Sequence, residues 1–179
     1  HTYGCAFEFL FPFTVGCHIT FLSKIPSPKI ILEAFQEIRP QLIVSVPLII
    51  EKIYKKQIKS FLNKKTTKWL SKFPVAEKTI KQKICKKLME IFGGNFYEVI
   101  IGGAALNQEV ELFLKEIKFP FSVGYGMTEC GPLISYASHE ELKLFSVGQV
   151  VDTLEIKIDS DDPRNIVGEI LVRGENVMY

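Results

Sequence analysis

Cysteine is present but never paired. Cys5, Cys17, Cys85 and Cys130 are widely spaced, no CxxC occurs, and no histidine stands at ligand spacing to any of them. Neither a zinc site nor a disulfide framework is therefore expected, and the plain reading is reduced, buried or semi-buried thiols in a cytoplasmic protein. Long apolar runs are missing as well. Glu8 interrupts the apolar opening and Lys24 closes it, short of the roughly 20 residues that cross a bilayer, and the N-terminus has no basic n-region. A soluble chain without a signal peptide is expected. No repeat of solenoid length is visible. What the sequence does have is 47% hydrophobic and 12% aromatic residues, enough for one real core, which excludes a disordered or low-complexity polymer.

The net charge of +2 hides an asymmetry. Residues 51–87 hold 13 lysines against Glu51 and Glu77, leaving 9 basic against 18 acidic residues elsewhere. An anionic partner would approach that segment. An anionic membrane surface and the phosphates of a small-molecule ligand are the candidates, set against lysines that simply solvate helix faces. Nucleic acid is not expected, because arginine is absent from the segment and aromatics are not interleaved as stacking platforms.

The pattern along the chain alternates. An apolar, helix-length opening to about Val15 precedes a β-rich run, Cys17 to Leu22, and a break at Pro26 and Pro28. Ser27 can cap a helix whose first position suits Pro28, and Ile31, Phe35 and Ile38 share its apolar face until Arg39-Pro40 forces a stop. Leu42 to Val46 is a short apolar strand closed by Pro47. Ile50, Ile53, Tyr54, Ile58, Phe61 and Leu62 then repeat at helical spacing, a lysine-rich connector carries Trp69, and Ala76, Ile80, Ile84, Leu88 and Ile91 mark a further helix ended by Gly93-Gly94-Asn95. Phe96 to Ile101 reads as a buried strand running into Gly102-Gly103-Ala104-Ala105.

The helix starting at Asn107 has an apolar stripe at Leu106, Val110, Phe113, Leu114 and Ile117. Glu109 and Glu111 in its first turn, and Lys115 and Lys118 near its end, match the helix dipole. Another strand, Phe119 to Val123, enters Gly124-Tyr125-Gly126. Beyond about residue 146 the period becomes two: Leu154, Ile156 and Ile158 inward, Glu155, Lys157 and Asp159 outward, with a turn to Asn165 and a partner strand Gly168 to Arg173. The expected fold class is α/β, a mostly parallel sheet flanked by helices over residues 1–145, with the start of a smaller β-subdomain over 146–179.

In an open α/β sheet, ligands bind beyond the carboxyl ends of strands, and both small-residue turns, 102–105 and 124–126, are expected there, facing one crevice. Gly102 to Ala105 would let a planar base or an acyl chain lie on exposed backbone; equally, they suit a tight turn needing permissive dihedrals. In Thr128-Glu129 the hydroxyl and nearby N–H groups can donate to phosphate oxygens, with Mg²⁺ between phosphate and carboxylate. The structural alternative is a threonine cap with an acid in a helix's first turn. Phe7, Phe9, Phe11, Phe13 and Phe21 suit simple core packing or the lining of an acyl tunnel. His18 and His139 have no evident partner and read as structural or surface residues.

The stretch GYGMTECGPL, Gly124 to Leu133, is similar to the YGxTE signature of the adenylate-forming superfamily, which includes acyl-CoA synthetases, nonribosomal adenylation domains and luciferases. IGGAAL lies upstream of it in the family's order. HTYG at His1 to Gly4 looks like the family's acyl-site motif, RPQLIVSVPLIIEKIY at Arg39 to Tyr54 resembles the long-chain fatty acid CoA ligases, and VGEILVRGENVMY resembles a later β motif. The likeness covers essentially the whole chain, apart from Asp152-Thr153, which replace a proline-glycine pair. It implies that Tyr125 stacks on adenine, Thr128 contacts the adenylate phosphate and Glu129 holds Mg²⁺. It also implies that Gly103 and Ala104 line the wall between adenine and acyl group, that Gly102, Gly124, Gly126 and Met127 complete the nucleotide turns, and that His1 and Tyr3 with Gly103 border the acyl substrate. ATP/AMP, Mg²⁺, CoA and a fatty acid are the implied ligands, in an AMP-forming ligase that works by way of an acyl-adenylate. The rivals are an adenylating enzyme for aryl or amino acids, and a non-catalytic nucleotide- or membrane-binding module of the same fold. No phosphate loop ending in PKG, ribose-binding aspartate or C-terminal adenylation lysine has a counterpart in the sequence, so it reads as a fragment, inactive alone.

Overall fold

The computed structural model describes residues 1–23, 27–59 and 74–179. They form two compact units, one of residues 20–122 and one joining 1–19 with 123–179. The chain opens with a continuous helical run, α1, made of Thr2–Gly4, a π-helical stretch Cys5–Leu10, and Phe11–Thr14. Its phenylalanines are not the simple core that composition favours: Phe9, Phe11 and Phe13 are exposed, Phe9 and Phe13 stacking at 5.9 Å. A helix that is apolar all round cannot bury every face against one neighbour. The run Cys17 to Leu22, expected as a strand, is irregular, and Phe21 there is exposed. β-rich composition yields a strand only where a partner edge is available. Cys5, on the all-round apolar helix, and Cys17, in the irregular run, are exposed rather than semi-buried, whereas Cys85 is half-buried and Cys130 buried; none is in a disulfide.

In the unit of residues 20–122, Ser27 Oγ accepts from the Ile30 N–H at 3.3 Å and caps α2, Pro28–Ile38. Arg39 ends it in the left-handed conformation at φ 51°, which suits a residue that Pro40 keeps out of the right-handed helical region, and its Nε donates to the Gly93 carbonyl at 3.1 Å. Then come β1, Leu42–Ser45; α3, Pro47–Ile53 continuing π-helically over Tyr54–Lys59; α4, Pro74–Ile91; β2, Glu98–Ile101; α5, Gln108–Glu116; and β3, Phe121–Val123. The expected helix positions Phe61 and Leu62, the Trp69 connector, Lys24, and Pro26 of the expected break lie outside the described residues. Among the described residues no helix is long and apolar enough to cross a membrane.

The three strands form a parallel sheet in the order β1-β2-β3, with Leu42 opposite Glu98 and Ser45 opposite Ile101. The fold class is α/β, as the alternation of patterns requires. Val99 and Ile101 of β2 are wholly buried, and Ile50, Ile53, Ile84, Leu88, Val110 and Leu114 of the helices are buried with them. Phe92, just past α4, centres an aromatic cluster, with ring centroids 5.9 Å from Phe35 and Phe96 and 5.8 Å from Phe119. Ser122 Oγ on β3 is buried and has no hydrogen-bond partner among the described residues.

The second unit adds β4, Tyr125–Gly126; β5, Leu133–Tyr136; β6, Gln149–Val150; β7, Leu154–Asp159; and β8, Glu169–Gly174. β4, β5 and β6 pair antiparallel in that order, and β7 pairs antiparallel with β8, Leu154 opposite Gly174 and Asp159 opposite Glu169. Along β7 the even residues are the more buried, in the phase that the alternation predicts.

One partly buried contact makes stability depend on pH. Tyr54 Oη donates to Glu109 Oε1 at 3.1 Å, linking α3 to the first turn of α5, and its ring meets Phe113 at 5.0 Å. Burial, then the Glu109 hydrogen bond and charge, push the phenol up from 10.0 to about 12. A raised folded-state value stabilises the protein fully below pH 10 and loses that contribution as pH climbs through about 12. Tyr54→Phe is expected to cost about 1 kcal/mol at neutral pH and to make the fall in stability above pH 10 shallower, read by chemical denaturation across pH. An unchanged alkaline fall would contradict this.

Candidate active site

The turn carrying Thr128 and Glu129 is built on a backbone contact that only glycine permits. Gly126 sits opposite Leu133, and a Cβ on it would stand 1.8 Å from the Pro132 carbonyl oxygen. That closeness lets the Met127 N–H donate to the same carbonyl at 2.9 Å, closing the hairpin. Residues Thr128–Cys130 then make one 3₁₀ turn, whose last side chain is the anchor. Cys130 is buried with Ile134 and Leu154, and Tyr125, Val151, Ile156, Val172 and Val177 pack around them. With Cys130 pointing in, Met127, Thr128 and Glu129 are left exposed.

The far side of the turn is held by the chain after β8. The Met178 N–H donates to the Glu129 carbonyl at 2.8 Å, and Gly131, left-handed at φ 72°, lies so close to Asn176 that a Cβ would come 3.1 Å from its carbonyl oxygen. The sequence motifs GYGMTE and GENVMY, separate on paper, are thus two sides of one structure. Thr128 is not a cap: the N-cap is Met127, with no side-chain bond. Neither the Thr128 hydroxyl nor the Glu129 carboxylate has a partner among the described residues. A donor and an anion stand next to each other, exposed, on fixed backbone. Tyr125 is half-buried against the Cys130 cluster, which leaves its ring only partly available.

In the other unit, the carboxyl ends of β1 and β2 stand side by side. The Gly102 N–H donates to the Ser45 carbonyl at 3.1 Å, so Gly102 extends the ladder and is buried. Gly103 follows at φ 84°, its missing side chain facing Val46 at 3.8 Å, and Gly103, Ala104 and Ala105 are exposed. The turn therefore both needs a glycine dihedral and presents bare backbone. Asn107 ends it, its Oδ1 accepting from the N–H groups of Glu109 at 3.0 Å and Val110 at 3.3 Å, while its own N–H donates to Glu51 Oε1 at 3.1 Å.

His1 and Tyr3 open α1. His1 Nδ1 accepts from the Tyr3 N–H at 3.3 Å, and the Tyr3 ring meets Phe7 edge-on at 5.5 Å. Burial, and then the nearby Glu8 charge, push the Tyr3 phenol up to about 12, so at neutral pH it stays protonated. The residues that sequence reasoning missed are Cys130, Pro132 and Met178. A lone cysteine in a glycine-rich stretch has no periodicity to mark it as core, and a contact to a distant main-chain N–H leaves no local trace.

The two glycines of GYG separate sterics from chemistry. A Cβ on Gly124 meets Leu133 Cδ1 and the Ser135 carbonyl oxygen only at 3.7 Å, ordinary contact. Gly126→Ala is expected to lower stability by about 1–3 kcal/mol as the hairpin is forced apart, whereas Gly124→Ala stays within about 0.5 kcal/mol. Thermal unfolding of the two variants measures the difference, and equal losses would refute the hairpin contact.

Comparison with known proteins assigns the chain to a family. Residues 1–179 match the family described as AMP-binding enzyme. Long chain acyl-CoA synthetase 3 of Arabidopsis thaliana is 28% identical over 181 residues, covering 83% of this chain and 26% of that protein. 4-coumarate--CoA ligase CCL1 of Humulus lupulus is 41% identical over 93 residues, 45% of this chain and 17% of the relative. Among solved structures, o-succinylbenzoate CoA synthetase of Bacillus subtilis in complex with its acyl-adenylate intermediate superposes with a TM-score of 0.67 at 22% identity, over 99% of this chain and 31% of that one. The chain thus spans about a quarter of the first relative's length. With the match running its whole length, the chain belongs to the AMP-binding enzyme family.

Proposed function

We propose that this chain is the nucleotide-handling part of an AMP-forming acid–CoA ligase whose acid is a long-chain fatty acid. The observation that carries the reading is the Thr128-Glu129 pair, exposed and without partners among the described residues, on a turn fixed by Cys130, Pro132 and Met178. In the reaction a carboxylate oxygen attacks the α-phosphorus of ATP, pyrophosphate leaves with the P–O bond electrons, and acyl-AMP forms; the CoA thiol then attacks the acyl carbon, releasing AMP and a proton. Such chemistry is mostly positioning and charge neutralisation.

In this reading Thr128 Oγ1 donates to the α-phosphate and Tyr125 packs on adenine through the face that the Cys130 cluster leaves open. The main chain at Gly124, Gly126 and Met127 keeps the turn close to the nucleotide. Gly102, Gly103 and Ala104 offer flat backbone to the adenylate, and His1 and Tyr3 border the acid. The residues fit Mg²⁺ in one way. No cluster of three metal-ligating side chains exists among the described residues, but Mg²⁺ is commonly held by one or two carboxylates together with substrate phosphates, and Glu129 offers one such free carboxylate. Bound there, the ion would neutralise phosphate charge.

The long-chain assignment rests on the length of the alignment to the Arabidopsis synthetase, 83% of this chain. A second reading, an aryl acid as substrate, is favoured by the higher identity, 41%, of the shorter match to the hop 4-coumarate ligase. Pyrophosphate release by the full-length protein, measured over saturated fatty acids of increasing length, benzoate and 4-coumarate, separates them. The expected result is kcat/KM at least about tenfold higher for a long-chain acid than for either aryl acid, a difference of about 1.4 kcal/mol. A preference for 4-coumarate would replace the substrate class, and no release with any acid would overturn the ligase reading.

A further inference from the structure

The lysine-rich segment is not needed for the reaction above, and its described part has a definite geometry. Helix α4 turns Ile84 and Leu88 into the core. Its exposed positions are Lys78, Thr79, Gln82, Lys83, Lys86, Lys87 and, at the end, Glu90. Of the lysines, Lys81 is ion-paired, to Glu77 at 2.7 Å and Glu116 at 3.5 Å. Lys78, Lys83, Lys86 and Lys87 have no carboxylate partner among the described residues. Residues 78, 82 and 86, with 79, 83 and 87, are spaced to share one side of a helix. The result is a stripe with four ammonium groups that have no carboxylate partner among the described residues, on a helix anchored by Ile84 and Leu88. Lys86 also borders an open groove of about 560 Å³ that Arg39 lines, with Glu90 the carboxylate there.

We infer that this stripe is a docking surface for an anionic phospholipid bilayer, held by charge alone. Three features select that partner. The segment 51–87 carries 13 lysines against two acids, complementary to a negative surface. It has no arginine to fork onto bases, and the stripe has no exposed aromatic to stack on them, which disfavours nucleic acid. Among the described side chains of α4, from Glu77 on, none of the exposed ones is apolar, because Ile84 and Leu88 are spent on the core. The helix therefore cannot insert as an amphipathic anchor does, and adsorption is electrostatic and screened by salt. For an enzyme whose acid substrate partitions into membranes, such a surface would hold the protein where the substrate is; the surface itself does not depend on which acid is used.

The test is co-sedimentation of the full-length protein with vesicles of phosphatidylcholine alone or with about one third phosphatidylserine, at about 0.05 M and about 0.5 M salt. Binding is expected only to the anionic vesicles and only at low salt. The variant K78Q/K83Q/K86Q/K87Q, checked by circular dichroism, is expected to lose about tenfold or more of that binding, while the corresponding four-fold arginine variant keeps it. Equal binding to neutral vesicles, persistence in high salt, no binding at all, or an unaffected glutamine variant would each overturn the proposal. So would single-stranded RNA outcompeting the anionic vesicles.

Discussion

The approach of Gly126 to the Pro132 carbonyl is the constraint on which the site depends. A side chain at that point would occupy the space of the oxygen, so the two strands of the hairpin could not meet and the Met127 N–H would lose its acceptor. Everything displayed by the turn follows from that closure. Because the hairpin is short, the 3₁₀ turn has only three residues to reverse the chain, and one of them, Cys130, is committed to the core with Ile134 and Leu154. The remaining two are then obliged to face outward. Exposure of a threonine and a glutamate is unremarkable alone; exposure fixed by a buried neighbour on one side and the Met178 hydrogen bond on the other is preorganisation. A group held in place before its ligand arrives loses less entropy on binding it.

The unit of residues 20–122 reaches a related end by regular means. Parallel β1 and β2 are in register, so their carboxyl ends stop together, and the ladder continues one step into Gly102. Helix α5 is then capped by Asn107 and tied to α3 through Glu51 and Tyr54, which fixes both ends of the bare turn between 102 and 107. The aromatic cluster around Phe92 joins Phe35 of α2 to Phe96 and Phe119, which stand just before β2 and β3. Rigid elements thus carry exposed backbone that has no side chain of its own to offer.

The regular elements were legible because their residues obey a period. Ser27 and Asn107 cap where a polar residue precedes an apolar stripe, and β7 alternates in the phase that its sequence shows. Where no period exists, little could be read. The hairpin of β4 and β5 comprises two-residue and four-residue strands in a stretch rich in glycine and proline, and Cys130 looks like any isolated thiol until its neighbours are known. Cys17 to Leu22 misled for the opposite reason: its composition suits a strand, but a strand is a property of a pair. The aromatic opening misled likewise, since counting phenylalanines measures apolar area and not the neighbours available to cover it. Thr128 and Glu129 were singled out by resemblance and by chemistry; the geometry adds why they face outward.

Under the proposed function, Glu129 stands ready, without rearrangement, to share a divalent cation with the phosphates of ATP. The most direct test is the Mg²⁺ dependence of nucleotide binding by the full-length protein and by Glu129→Gln, which keeps the shape of the side chain and the backbone bond to Met178 but removes the charge. Mg²⁺ is expected to tighten ATP binding in the natural protein by about tenfold or more and to tighten it far less in the variant, with unchanged thermal stability. Identical Mg²⁺ dependence in the two proteins would contradict this role for Glu129.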